Sequence, residues 1–216
     1  MKFGSVKNQH DAIQQLPVEA AKQAAPIRLR YDRLEQRRVL NADFGLFGSV
    51  LDIDNFTQVV DEGLSISDNG TDIQFQLDEG VFNSINNPGG IITGAGTSTI
   101  SIAKADLANG VIQNIFVDGL AIPGVDVDFV TNTDLSDLSG LFSIQTQGDI
   151  SQVAGSELDF ADVFFTGQHV CLTNAGNDFQ TTVSAIGDTV ELVDANDLNV
   201  SIDLSLIHIS EPTRPY

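Results

Sequence analysis

The strongest constraint on this chain is an internal spacing near twenty residues in its C-terminal part. Asp159-Phe160, Asp178-Phe179 and Asp197-Leu198 recur 19 apart, and so do Phe164, Val183 and Ile202. Gly148, Gly167 and Gly187 follow at 19 and 20, and Val170-Cys171-Leu172 matches Val190-Glu191-Leu192 at a shift of 20. Asn174-Ala175-Gly176-Asn177-Asp178 is echoed by Asp194-Ala195-Asn196-Asp197 with one residue deleted. A unit this short cannot bury its inward face alone, so neighbouring units must stack. The period suits one coil of a parallel β-helix, with Phe160, Phe179 and Leu198 in one interior column about 4.8 Å apart. The glycines would give the coil turns backbone freedom. Cys171 falls where Glu191 does and is expected to point outward.

The local pattern agrees. Gly63–Ser67, Asp72–Leu77 and Ser98–Ile102 alternate apolar and polar residues, the mark of half-buried strands. Asp68-Asn69-Gly70-Thr71 lies between two such runs and predicts a hairpin turn with positive φ at Asn69 and Gly70. Lys104–Ala108 suits one short helical turn. The expected fold class is all-β, a right-handed parallel β-helix or solenoid with a mostly disordered or short-helical N-terminal leader. A β-sandwich, with strands near every ten residues, is the competing architecture, and the 19–20 spacing argues against it.

Charge divides the chain. Eight of its ten basic residues precede Val39, whereas between Val39 and Asp203 Lys104 stands alone against 25 Asp and Glu. Such a body repels phosphate and anionic lipid headgroups, so nucleic acid and anionic membrane surfaces are not its partners. No apolar run is long enough for a membrane-spanning helix. Cys171 is the only cysteine, which rules out an intramolecular disulfide.

Residues 1–38 are basic and rich in Gln and Ala, with no continuous apolar core of a standard signal peptide. Residues 11–25 suit a weak amphipathic helix ended by Pro26. Then comes Arg33-Leu34-Glu35-Gln36-Arg37-Arg38-Val39-Leu40-Asn41-Ala42. This resembles the Leu-Glu-Pro/Gln-Arg-x-Leu-Leu-Ser/Asn-Ala motif near the start of large exported planctomycete proteins. In that family a basic leader precedes the motif and an acidic extracellular region follows. The repeats over roughly residues 110–203 resemble the Ala-Asn-Asp-Leu/Phe units of filamentous-haemagglutinin-like surface proteins. The resemblance implies a cell-surface or extracellular location, β-helix coils, and partners that are cell-surface glycans or further copies along the solenoid. At the other end, Leu204–Arg214 resembles a transposase-type sequencing adapter translated in frame. The expected organisation is a basic leader (1–42), a β-rich region with hairpins (43–109), repeat coils (110–203) and an adapter-like tail (204–216).

Chemistry-bearing motifs are scarce. His169 is the only histidine between Val39 and Asp203, and one His with one Cys cannot build a zinc site. Asp52-Ile53-Asp54-Asn55-Phe56 departs from the EF-hand pattern, with Phe where a ligand belongs. Asp126, Asp128, Asp159, Asp178 and Asp197 remain as weak calcium candidates, the alternative being acids that accept turn hydrogen bonds and solvate the surface. No cofactor other than calcium is suggested. There is no Gly-x-Ser-x-Gly elbow, and the Gly-rich run Pro88–Gly96 is not followed by the Lys-Ser/Thr of a phosphate loop. A β-helix polysaccharide lyase or hydrolase is the enzymatic alternative, but the stretch from Val39 to Asp203 has no Arg, Tyr or Trp to meet uronates or stack on sugars. A calcium-dependent β-sandwich binding module is the third reading. The expectation is a non-catalytic structural or adhesive surface protein.

Overall fold

A computed structural model describes residues 41–57, 62–121 and 123–204. The expected leader and all but the first residue of the tail lie outside them. The described residues Asn41–Leu204 lie within one compact unit.

The fold is all-β, with mixed sheets. The chain opens with β1 (Asn41–Phe47), β2 (Val50–Asp54), β3 (Glu62–Asp68), β4 (Asp72–Leu77), β5 (Val81–Asn86) and β6 (Thr99–Ala103), followed by the short helix α1 (Lys104–Ala108). It continues through β7 (Asn114–Gly119), β8 (Val125–Phe129), β9 (Thr133–Leu135), β10 (Leu141–Thr146), β11 (Ile150–Gln152) and β12 (Leu158–Phe160). The last strands are β13 (Asp162–Thr166), β14 (His169–Leu172), β15 (Asp178–Phe179), β16 (Val183–Gly187), β17 (Thr189–Leu192) and β18 (Val200–Leu204). The first sheet has the order β18-β16-β13-β10-β7-β2-β1-β5, the second β17-β14-β11-β8-β3-β4-β6 and the third β15-β12-β9.

From β7 onward the chain visits the three sheets in turn, and every ladder is parallel. Alternation sends every second residue inward, so the ladders align apolar columns. Leu51, Ile115, Phe142, Val163, Val183 and Val200 form one column in the first sheet. Leu64, Val127, Ile150, Val170 and Val190 form one in the second. Between the sheets lies an aromatic cluster. Phe129, Phe142, Phe160 and Phe165 are fully buried, and Phe160 sits 5.5 Å from both Phe129 and Phe142 by ring centroid. Edge-to-face pairs of this kind add to the area they bury.

Several expectations hold in detail. Asp159 pairs with Asp178 and Phe160 with Phe179. Val170, Cys171 and Leu172 pair with Val190, Glu191 and Leu192 at the expected shift of 20, and Cys171 is exposed. The hairpin at residues 68–71 joins β3 and β4 antiparallel, and α1 forms where expected.

Others are corrected. No strand follows β15 at Asp197-Leu198; Leu198 instead packs half-buried against the core. The reason is a shorter turn. The buried Asn177 stands five residues after Leu172, and its Oδ1 accepts from the Leu158 amide at 3.1 Å. Asp194 stands only two residues after Leu192, and its Oδ1 accepts from the Phe179 amide at 3.1 Å. The last repeat is therefore shorter, and Val183 pairs with Val200 rather than Ile202, while Phe164 pairs with Ser184. In the hairpin turn only Gly70 has positive φ, 92°; Asn69 instead accepts from the amides of Thr71 and Asp72 through its side chain. Gly148, Gly167 and Gly187 are not in the left-handed region. They are glycines for want of room, since a Cβ on Gly187 would lie 2.8 Å from the Gly167 carbonyl oxygen and one on Gly167 3.1 Å from that of Gly148.

Candidate functional site

The five weak calcium candidates do not come together. Asp126 and Asp128 lie on β8, in the second sheet, where Asp126 Oδ1 accepts from the Asp149 amide at 2.8 Å and Asp128 from the Ser151 hydroxyl. Asp159 and Asp178 lie in the third sheet, in register with Asp134. Asp197 is exposed and outside the strands. Among the described residues, no three His, Cys, Asp or Glu side chains converge to hold a metal ion.

The third-sheet column Asp134–Asp159–Asp178 brings like charges together at strand spacing, and its members respond differently. Lys104 Nζ donates to Asp134 Oδ2 at 2.8 Å and to Asp68 Oδ2 at 2.9 Å. Burial works against the Asp134 carboxylate, but Lys104 and the Ser136 hydroxyl and amide outweigh it, so its pKa is held below the usual range. Lys104 is opposed by its own burial, yet its two carboxylates push its pKa up. Lys104 also lowers the Asp159 pKa, but as the smallest of the influences on it. Burial first, then the Asp134 and Asp178 charges, raise its pKa against the Gln180 amide, which donates to it at 2.7 Å. Lys104 thus ties the β3–β4 hairpin to the third sheet across the start of α1.

A second acidic group escaped the sequence reading. Asp52 and Asp54 alternate with buried Leu51 and Ile53 on β2, so both carboxyls face outward. Asp43 pairs opposite Asp54 across the β1–β2 hairpin. The β2–β7 ladder brings Asp118 near both. Burial and then Asp118 raise Asp52; burial and then Asp52, Asp43 and Asp118 raise Asp54. Asn55 Nδ2 donates to Asp54 at 3.1 Å and Asp43 at 3.3 Å, with Asn55 in the left-handed region at φ 52°. In the sequence, Asp52 and Asp54 stand only as a departure from the EF-hand pattern. The arrival of Asp118 depends on a strand partner 64 residues away, which no local pattern announces.

Chemically, this cluster offers carboxyls that retain protons above the ordinary range, with the half-buried Phe116 paired beside Asp52. It presents no positive side chain. Comparison with protein-family models, with curated proteins and with solved structures gives no match.

Proposed function

We propose that residues 41–204 form a right-handed parallel β-helix serving as a non-catalytic structural or adhesive segment of an exported surface protein. The observation that carries this reading is the strand order: β7 through β18 recur across three sheets by parallel pairing alone, so each turn of chain is a platform for the next. Right-handedness follows from the near-universal hand of parallel crossovers. The outward side chains of these ladders include Ser, Thr, Asp, Gln, Glu and Phe together with His169 and Cys171, a mainly polar surface without Lys or Arg. The motif at residues 33–42 and the change of charge that coincides with it support export.

The test is incubation of the full chain with acidic and neutral polysaccharides. The expected result is binding or no interaction, with no release of reducing ends or unsaturated products. Turnover abolished by Asp52→Asn would replace the structural reading with a hydrolase acting through the Asp52/Asp54/Asp118 group, by carboxylate acid–base chemistry.

A further inference from the structure

The chain contains two Asn-Gly pairs, Asn69-Gly70 and Asn109-Gly110. In such a pair an asparagine side chain reacts readily with its own backbone, because glycine has no Cβ to hinder attack through its nitrogen. The glycine amide gives up its proton and its nitrogen attacks the asparagine Cγ. A new N–Cγ bond forms, the Cγ–Nδ2 bond breaks, and ammonia leaves. Water then opens the five-membered imide at either carbonyl, giving aspartate or isoaspartate. Water is the only co-reactant. The two pairs are alike in sequence, and the structure separates them.

At Asn69 the reacting groups are held. Its Oδ1 accepts from the Thr71 amide at 3.0 Å, the Thr71 hydroxyl at 2.9 Å and the Asp72 amide at 2.9 Å. Its Nδ2 donates to Asp72 Oδ2 at 3.5 Å. The attacking nitrogen is engaged as well, since the Gly70 amide donates to Asp68 Oδ1 at 2.6 Å. Asp68 is fixed in turn: its side chain is 7% exposed and its other oxygen accepts from Lys104 Nζ. A carboxylate at this distance opposes the negative charge that grows on nitrogen as the proton leaves. The turn is clamped through the main chain too. The Asn69 amide donates to Asp72 O at 3.1 Å, and Thr71 O accepts from the Lys104 amide at 2.9 Å. Bringing Cγ onto the Gly70 nitrogen means giving up these side-chain-to-backbone bonds.

Asn109 is exposed and closes the five-residue helix α1. Its amide donates to Ala105 O at 3.0 Å and the Gly110 amide to Leu107 O at 2.9 Å. Both are main-chain bonds at the solvent-exposed end of a short element, where local opening costs least. No Asx turn fixes this side chain, and no carboxylate accepts from the Gly110 amide.

We propose that Asn109 is a site of spontaneous deamidation in the folded protein, and that the β3–β4 turn protects Asn69 from the same reaction. The product adds a negative charge to a body that already sets 25 acids against Lys104. Its isoaspartate form also adds a methylene to the main chain between α1, which carries Lys104, and β7. Directly after it the Val111 and Ile112 amides both donate to Asp106 O, at 2.9 and 3.1 Å, and Ile112 is fully buried. The proposal rests on the hydrogen bonding of the two turns, not on the surface-protein reading, and would stand if that reading failed.

The experiment is incubation of the full chain at mildly alkaline pH and physiological temperature, folded and in guanidinium chloride. Peptide mass mapping follows the amide-to-acid mass increase at each pair, and chromatography separates the isoaspartyl peptides. In the folded protein Asn109 is expected to convert at least about tenfold faster than Asn69, the factor that holding one or two hydrogen bonds supplies. In denaturant the two rates should converge, since both sites are then plain Asn-Gly. Asn109→Gln should remove most of the folded-state signal. Asp68→Ala frees the Gly70 amide and should accelerate conversion at Asn69 in the folded protein. If that variant does not fold, the folded-to-denatured ratio of the parent chain decides. Equal rates in the folded state, or an Asn109 that converts only in denaturant, would overturn the proposal. Faster conversion at Asn69 would overturn it too, and would make Asp68 the base and the Thr71 and Asp72 amides the oxyanion donors of a self-modifying turn.

Discussion

The leading strands β1–β6 and the later strands β7–β18 share two sheets and reach them by different means. In the first region antiparallel pairs dominate: β1 with β2, β3 with β4, β4 with β6. Left-handed residues concentrate there, at Gly48, Asn55, Gly70, Gly80, Gly89, Gly90, Gly94 and Gly96, whereas among the described residues none occurs after Gly155. In the second region every ladder is parallel, and the turns are fixed by side chains reaching to the preceding coil. Asn132 Oδ1 accepts from the Glu157 amide at 3.0 Å, and Asn177 exchanges two hydrogen bonds with Gln152 at 2.8 and 3.0 Å. The difference separates two sources of order. Hairpins are closed by what each turn residue can do by itself; the later turns are closed by side chains of strands and loops that pair with them in parallel.

The comparison breaks most visibly at the aromatic cluster. Phe160 is fully buried among Phe129, Phe142, Phe165 and Phe179, while Phe47 on β1 is 50% exposed and lies over Gly45. Phe160→Ala is expected to cost about 3–5 kcal/mol, the range for deleting a buried aromatic. Phe47→Ala should stay within roughly 0.5 kcal/mol, as for ordinary surface changes. Urea denaturation of both variants checks the pair. Comparable losses would mean that the Phe47 ring is packed as tightly as the Phe160 ring.

The same division explains what was legible in the sequence. β3, β4 and β6 could be read to within a residue or two, because alternation and turn chemistry are local. The pairing of β14 with β17 was legible because both shifts through those coils are 20. Earlier coils hid their kinship: Ile115 pairs with Phe142 at a shift of 27, Val127 with Ile150 at 23 and Asp134 with Asp159 at 25. Extra loop residues absorb the difference without disturbing the ladders, so a fixed period finds only the loop-poor coils. The last coil, shortened at Asp194, misled in the other direction and placed Leu198 in a strand. Of the candidate site acids, the Asp159–Asp178 register was readable. The Asp52/Asp54/Asp118 group and the Lys104 tie were not, because both join residues from coils whose spacing is irregular.

A smaller effect probes the seam between the regions. Lys104 lies on α1, Asp68 at the end of β3 and Asp134 on β9, so this one cation joins both regions. The Asp68 side chain is only 7% exposed, but Asp134 is 45% exposed and partly screened by solvent. Lys104→Met is therefore expected to cost about 1–2 kcal/mol, less than the loss of a fully buried ion pair. Its pH dependence has two opposing parts. Asp134 is depressed, so its contribution is present above the unfolded carboxyl pKa and is lost as pH falls through its folded value. Asp52, Asp54 and Asp159 are raised, so the folded state binds protons more readily there, and stability increases as pH falls through their folded values. Three groups act in the second sense and one in the first. As pH falls through the folded pKa values of these three acids, the thermal unfolding midpoint should rise relative to a protein with ordinary carboxyls, and this rise should be smaller in Asp52→Asn. In Lys104→Met the later loss from Asp134 should disappear. A midpoint falling steadily from neutral pH would show that the acidic groups are not strained in the folded state.

The smallest effect tests the register of the later coils directly. Cys171 is exposed on β14 and faces Glu191 on β17, with Sγ 3.8 Å from Glu191 Oε2. Partial burial raises the thiol pKa first, and the Glu191 charge raises it further. The thiolate is the reactive form, so alkylation at neutral pH should be slower than for a free thiol. Its rate–pH profile should be displaced to higher pH. Glu191→Gln removes the carboxylate without changing shape, and is expected to accelerate alkylation at neutral pH and move the profile back toward lower pH. Stability should change by no more than about 0.5 kcal/mol, since both side chains are at the surface. The readout is specific to register because side chains alternate faces. A slip of one residue between β14 and β17 would turn Glu191 inward and place Val190 or Leu192 beside the thiol. Alkylation of Cys171 would then be indifferent to Glu191→Gln. An unchanged profile would mean that β14 and β17 are not paired at a shift of 20, and the regular part of the stack would have to be redrawn from that point.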